Sequence, residues 1–200
     1  QKLKLKATVF PIQDLKVVDV NANGNQDIII FKLPKLDIQT FPSPSVERTL
    51  IYTTAASSNN ELTSNYNVRG GNYDENLVYV NGFLINRPFL TRSGQQEGMS
   101  FINTALVESI QFSAGGFDSE YGDKLSSVLD IKYKTPTDRK LHGSVLASLL
   151  NAEAHVEQAV GARFNYLVGA RYQSNGYFLN SLPTKGAYNP VYWDAQLVTN

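Results

Sequence analysis

Residues 163–172, RFNYLVGARY, alternate in character over ten positions, and no other stretch of the chain limits its possible folds so tightly. A period of two puts Phe164, Tyr166, Val168, Ala170 and Tyr172 on one face of an extended strand. Arg163, Asn165, Gly169 and Arg171 fall on the other, with Leu167 as the exception. Aromatic residues near both ends of the apolar face, on a strand of roughly 9 to 11 residues, suit a tilted segment crossing a bilayer. Residues 143–156, GSVLASLLNAEAHV, are expected to pair with it through a turn around Gln158 to Gly161, and a third strand is expected to begin near Tyr192. Strand edges are not tolerated in hydrocarbon, so these strands need many others to close a barrel, more than this chain contains.

A second stretch, residues 66–90, YNVRGGNYDENLVYVNGFLINRPFL, reads as a hairpin entered through a glycine-rich turn. Val68, Leu77 to Val80 and Phe83 to Ile85 supply β-branched and aromatic strand residues, and Asn81-Gly82 supplies a two-residue turn that favours positive φ. Upstream, KLKLKATVF alternates at period two and DIIIFKL forms an apolar run from Asp27 to Leu33; both predict strands. Pro34, Pro42 and Pro44 mark a boundary, after which Ser45 can cap a short helix from Val46. Asn103 or Thr104 can cap a single helical turn before a strand over Ser109 to Ser113, and Ser127 to Tyr133 predicts another strand. Residues 87–98 read as a loop.

Composition excludes several classes of function. Eighteen basic residues balance eighteen acidic ones, so a nucleic-acid partner is not expected. With no cysteine, there is no disulfide framework, thiolate metal site or cysteine nucleophile. No apolar run approaches the ~18 residues of a membrane helix, and Gln1-Lys2-Leu3-Lys4 leads into no signal-peptide core, so an exported protein would be present here in mature form. His142 and His155 have no clustered ligands in sequence, and Ser93 and Ser126 lack a nucleophile context; neither catalysis nor a cofactor is expected. Asp19, Asn21, Asn23 and Asp27 have calcium-loop spacing, but Ile30 stands where an EF-hand has its bidentate Glu, and a solvated Asn-Gly turn is the plainer reading.

NVRGG followed by DENLVYVNG, and then GGFDSEYGDKLSSVLDI at 115–131, resembles the plug domain of TonB-dependent outer-membrane receptors. The supporting stretch runs from about Ser57 to Lys134, and the motif positions are Arg69, Gly70, Gly71, Gly115, Gly116, Tyr121 and Gly122. The chain departs from the family in two places. Thr53-Thr54-Ala55-Ala56 replaces a common proline-glycine-valine turn, and Ser126-Ser127 replaces paired glycines.

The resemblance implies an α+β plug domain with short strands and helices, followed by the first antiparallel strands of a transmembrane β-barrel. On that reading residues 1–40 are an N-terminal extension of uncertain fold, 41–138 the plug, and 139–200 the first strands of an incomplete barrel. The implied protein sits in the Gram-negative outer membrane, its N-terminus periplasmic, and gates energy-coupled uptake of a bulky nutrient. An inner-membrane coupling protein would engage an N-terminal segment, for which Ala7 to Phe10 is the apolar candidate. Relatives also use an outer-membrane lipoprotein partner, which is not assumed here. Asn72, Tyr73, Asn86, Arg87, Phe89 and Arg92 lie in loops able to face a ligand, and Arg69, Glu97, Glu108 and Glu120 could hold plug to barrel. Two alternatives stay open: an accessory plug closing another protein's export pore, and a secreted all-β binding module with the aromatic face of 164–172 turned inward.

Overall fold

The computed structural model describes residues 15–19, 27–32, 45–53, 56–58, 64–86, 88, 100–148, 151–161, 163–174 and 191–200. The alternating stretch over residues 2–10, the coupling candidate at 7–10 and most of the 87–98 loop lie outside them. The elements in chain order are β1 (Leu15–Asp19), β2 (Asp27–Lys32), α1 (Val46–Thr53), β3 (Ala56–Ser57), β4 (Asn67–Val68), β5 (Asn76–Val80), β6 (Phe83–Leu84), β7 (Val107–Ser113), β8 (Ser127–Tyr133), β9 (His142–Ala147), β10 (Asn151–Val160), β11 (Phe164–Ser174) and β12 (Val191–Thr199). They form a mixed sheet ordered β1-β2-β7-β8-β5-β6, an antiparallel sheet ordered β12-β11-β10-β9, and the small pair β3-β4. The fold is α+β with a run of antiparallel strands after it, as the resemblance implies.

The hairpin β1–β2 pairs with β7 along Ile28 to Lys32, so strands within residues 1–40 extend the mixed sheet. Asn81 and Gly82 take φ of 51° and 81°, and Val80 pairs with Phe83, which makes the expected primed turn. That turn is pinned onto β8: the Asn81 N–H donates to the Ile131 carbonyl at 2.8 Å, and the Asn81 side-chain oxygen accepts from the Tyr133 N–H at 2.8 Å. β5 and β8 run parallel, so the loops that precede them, 69–75 and 114–126, lie at one end of the sheet. The turn at Asn81 and the exit from Tyr133 lie at the other.

Alternation in the VLDIKY segment predicts a half-exposed strand. The structure keeps that alternation: Leu129, Ile131 and Tyr133 are buried while Asp130 is half-buried and Lys132 exposed, and only Val128, on the face of these last two, is buried as well. Val46 and Leu50, one helical turn apart on α1, join the same core with Ile102, Leu106, Ile110 and Phe112. The helix begins where expected, with the Ser45 hydroxyl accepting from the Arg48 N–H at 3.2 Å. Asn103 likewise caps the single turn Thr104–Leu106 by accepting from the Ala105 N–H at 3.1 Å.

One expectation is corrected. Residues 143–156 are two strands rather than one: β9 and β10 reverse direction at 148–151, where the Ser148 N–H donates to the Asn151 carbonyl at 2.7 Å. Side chains at this reversal close it, with the Asn151 N–H donating to the Ser148 hydroxyl at 3.1 Å. The imperfect alternation of LASLLNA is the trace of that turn. β10 then pairs with β11 over its full length, from Asn151 opposite Gln173 to Val160 opposite Phe164, through a turn at Gly161.

The outward face of β11 is as the sequence predicts: Phe164, Val168, Ala170 and Tyr172 are exposed while Leu167, Gly169 and Arg171 are buried. Across the ladder Tyr172 pairs with Trp193, which is 78% exposed, and Val168 pairs with Leu197, so the apolar outer face continues onto β12. Leu167 is 0% exposed because its inward direction takes it into the core of the first sheet. Gly169 lets the sheets meet: a Cβ there would lie 2.7 Å from Asn103 Nδ2 and 2.9 Å from Leu106 Cδ2. No helix among the described residues is long and apolar enough to cross a membrane, a test that does not bear on strands.

Gly71 is as tightly enclosed, since a Cβ at that position would lie 2.4 Å from Ser126 Oγ. Gly71→Ala is therefore expected to destabilise the mixed sheet by about 1–3 kcal/mol, and the pair Gly71→Ala with Ser126→Gly to recover much of that loss. Urea denaturation of the two variants beside the parent chain measures both effects.

Candidate functional site

The two sheets meet at a buried polar seam. β11 reaches it with Arg171, which is 9% exposed and inward by the strand's period. Register places Asp194 of β12 on one side of Arg171 and Glu153 of β10 on the other. Arg171 Nε and Nη2 donate to Asp194 Oδ1 and Oδ2 at 2.8 and 3.0 Å, a forked pair that fixes the guanidinium plane. Its remaining reach is spent on backbone: Nη1 donates to the Ile102 carbonyl at 2.7 Å, and Nη2 to the Ser100 and Phe101 carbonyls at 3.0 and 3.2 Å. Gln196 adds a donor to the Phe101 carbonyl at 2.6 Å and accepts from the Tyr133 hydroxyl at 3.0 Å.

From the other side α1 contributes Glu47, only 2% exposed. The Ser100 hydroxyl donates to Glu47 Oε1 at 2.6 Å and accepts from the Ile102 N–H at 3.0 Å. Burial pushes the Glu47 carboxyl from 4.5 up to about 7, against the opposing pull of the Ser100 hydrogen bond and the Arg171 charge. Burial likewise pushes the Tyr133 phenol up to about 12, so at neutral pH it keeps the proton it donates to Gln196. These groups hold a segment of chain between the sheets, and the hydroxyl–carboxyl contact among them, Ser100 with Glu47, is buried on both sides. Among the described residues no group of three or more potential ligands could hold a metal ion.

The motif residues assemble a second cluster, at the end of the mixed sheet away from the Tyr133 exit. Arg69 and Gly70 take φ of 48° and 83°, and the Gly71 N–H donates to the Val68 carbonyl at 2.8 Å, closing a tight turn. A Cβ on Gly115, whose φ is 76°, would lie 3.6 Å from Arg69 Nη1, so the two separated motifs touch. Ser126 and Ser127, where the family has glycines, are put to use. The Ser126 hydroxyl donates to the Val68 carbonyl at 2.8 Å, and the Ser127 hydroxyl donates to Asn76 Oδ1 at 2.8 Å. Asn76 Nδ2 in turn donates to the Tyr66 carbonyl at 2.8 Å. Tyr121 packs edge-on against Tyr79, their ring centres 5.3 Å apart, while Gly116 and Gly122 are exposed.

Asn72 and Tyr73 are exposed at this same end, and Asn86 is exposed two residues beyond β6. Arg87, Phe89 and Arg92 lie outside the described residues, as do Glu97, Asn21 and Asn23; Asp19 and Asp27 pair across β1–β2. Glu108 and Glu120 are exposed. His142 Nε2 lies 2.8 Å from Asp138 Oδ2 at the surface, and His155 Nδ1 lies 2.9 Å from the Ser144 hydroxyl.

Sequence reasoning put Arg171 on the right face but missed its partners and the acid on α1. A signal for the arginine was available: a charge on the inward face of a bilayer-length strand must find a partner.

The family model for the TonB-dependent receptor plug domain matches residues 11–127. No curated protein matches the chain. Among solved structures, the ferric enterobactin receptor of Pseudomonas aeruginosa in a double-mutant form superposes with a TM-score of 0.57 at 14% identity, covering 77% of this chain and 26% of that one. A single mutant of that receptor, in complex with enterobactin, gives 0.56 at 13% identity over 85% of this chain and 30% of that one. The siderophore receptor PirA of the same organism gives 0.52 at 16% identity over 77% of this chain and 29% of that one. At these identities the likeness is one of fold, and the chain spans under a third of each receptor.

Arg171→Ala strands Asp194 and Glu153 without their cation and leaves the Ser100 and Ile102 carbonyls without their arginine donor, while Gln196 still serves that of Phe101, at an expected loss of about 3–5 kcal/mol. The double variant Arg171→Ala with Asp194→Ala should lose less than Arg171→Ala alone, since one buried carboxylate fewer, Glu153 only, remains opposite the gap. Hydrogen exchange at residues 100–107 reads both.

Proposed function

The chain belongs to the TonB-dependent receptor plug-domain family, and we propose that it is the plug and first barrel strands of an outer-membrane receptor that imports a bulky nutrient by energy-driven displacement of the plug. The observation that carries the proposal is the seam at Arg171. It joins the mixed sheet to strands with an apolar outward face through exchangeable hydrogen bonds to backbone carbonyls at 100–102. Each such bond, with a charged donor, contributes a net ~1.5–3 kcal/mol and can be replaced by water, so a plug held this way can be drawn aside by an applied force.

In this reading residues up to 138 are the plug and 139–200 the opening strands of a barrel that continues beyond them. Plug and strands are one covalent chain, with Tyr133 and His142 separated by a short connection, which favours a receptor over a free-standing plug for another protein's pore. The end carrying Asn72, Tyr73 and Asn86 faces outward and meets the ligand; the end at Asn81 and Lys134 faces the periplasm, where the coupling partner pulls on the N-terminal segment. One solved relative is described as a ferric enterobactin receptor in complex with enterobactin. A metal chelate of that size is the substrate class proposed here.

An engineered tether tests displacement directly, because the chain has no native cysteine to interfere. Cysteines at Asn103 and Gly169, whose side-chain positions touch, would bridge plug and barrel when oxidised, and the same double-cysteine receptor kept reduced is the reference, because a side chain at Gly169 displaces Leu106. In cells carrying the full-length receptor, energy-dependent uptake of a panel of ferric siderophores should fall at least ~10-fold on oxidation and recover on reduction, with surface binding unchanged. Uptake that ignores the oxidised tether refutes the proposal.

A further inference from the structure

Glu47 combines near-complete burial with a carboxyl oxygen, Oε2, that has no hydrogen-bond partner. Its surroundings offer it little as an anion. On its own helix the Ser45 hydroxyl, which accepts from the Arg48 N–H, and the N–H of Glu47 itself favour the anion, but by less than burial disfavours it. From the 100–103 segment comes the single hydrogen bond of Ser100 to Oε1. β8 presents the Tyr133 phenol and the approach to β4 the Tyr66 phenol, both of which an ionised Glu47 would only disfavour from ionising. Across the seam stands Arg171, whose donors go to Asp194 and to the carbonyls of Ser100, Phe101 and Ile102. Arg171 therefore acts on Glu47 as a charge alone, already shared with Asp194 beside it and Glu153 opposite it in the ladder. The seam thus sets one guanidinium against the carboxyls of Glu47, Glu153 and Asp194.

We propose that Glu47 holds a proton while α1 and residues 100–103 are seated against β10–β12, and gives it up to water when they are withdrawn, so that unseating the plug is coupled to release of a proton at this residue. A buried carboxylate with one free oxygen is costly, and protonation removes the charge without moving the chain. The inference rests on the displacement reading above and adds a protonation step to it.

The direction follows from burial, which raises this carboxyl from 4.5 in water to about 7 when seated. Below the ordinary carboxylate range both states hold the proton, and pH has no effect through this group. Between that range and about pH 7 the seated state binds more protons than the withdrawn one, so raising pH favours withdrawal. Above it both are ionised and the effect levels off. The whole span alters the seated-to-withdrawn ratio by on the order of 100-fold.

Two measurements on the full-length receptor in bilayers test this. Infrared difference spectra between the parent protein and Glu47→Gln should show, at mildly acidic pH, a protonated-carboxyl band that the substitution removes and that titrates away towards pH 8. Hydrogen exchange at residues 100–107, referenced to an unstructured peptide at each pH, should show opening roughly 100-fold more frequent at pH 8 than at pH 5 in the parent and nearly level in Glu47→Gln. Absence of that band, or an equal pH slope in Glu47→Gln, overturns the proposal. If Glu47→Gln does not assemble, Ser100→Ala keeps the acid and removes its hydrogen bond; the band should then persist to higher pH, and an unmoved titration overturns the proposal. A receptor blocked by the oxidised tether but lacking the band refutes the proton and leaves transport standing; uptake indifferent to the tether overturns both.

Discussion

Arg171 joins the two halves of the structure because it meets demands from both, with Gln196 beside it in a lesser part. The segment 100–102 runs between the sheets with its carbonyls turned towards β11, and buried carbonyls without donors would each cost about 1–3 kcal/mol. A planar guanidinium can satisfy them and still present a fork to Asp194, which a lysine's point charge could not do. The close approach that makes this possible comes from Gly169 two residues earlier on the same inward face, where Asn103 and Leu106 occupy the space of the missing side chain. One strand therefore carries both the space and the charge that seat the plug.

An apolar seam of the same shape would hold at least as firmly, since buried ion pairs rarely stabilise more than well-packed hydrophobic replacements. Leu167, buried in the shared core, shows that the inward face of β11 accepts such packing. Polarity at Arg171, Asp194 and Gln196 therefore needs a reason other than strength, and exchange with water supplies it. Around these groups the apolar core of Leu106, Ile102 and Leu167 keeps the effective dielectric low, which makes the contacts directional and leaves Glu47 with its raised affinity for a proton.

Features encoded within a few residues were legible in the sequence. Asn81-Gly82 announced its turn, Ser45 its helix, Asn103 its cap, and the period of RFNYLVGARY its outward face, because each depends on backbone preference or alternation alone. Features set by register between distant segments were not legible. Asp194 meets Arg171 only because β12 pairs with β11 at one particular offset, and β5 lies beside β8 only after a long crossover. Nothing in the sequence marks Glu47, because an acid in a helix's first turn suits the helix dipole whether or not the fold covers it. The single strand expected over 143–156 failed because a reversal at Ser148 to Asn151 left the alternation only slightly disturbed.

The two polar clusters differ in a way that decides where motion is cheap. At the motif end, Gly71 and Ser126 are in steric contact, the Ser126 and Ser127 hydroxyls tie the turn to β8, and Arg69 sits in a left-handed conformation that costs about 1–2 kcal/mol and persists only in a rigid setting. That end cannot loosen without breaking packing and hydrogen bonds together. At the seam, by contrast, the carbonyls of 100–102 are held by side-chain donors from Arg171 and Gln196, each replaceable by water one at a time. Force applied to the chain would therefore part the sheets along the seam before it dismantled the RGG turn. If the plug is displaced as proposed, the motif residues would preserve the shape of the moving body, and the inward face of β11 would set the resistance to its movement.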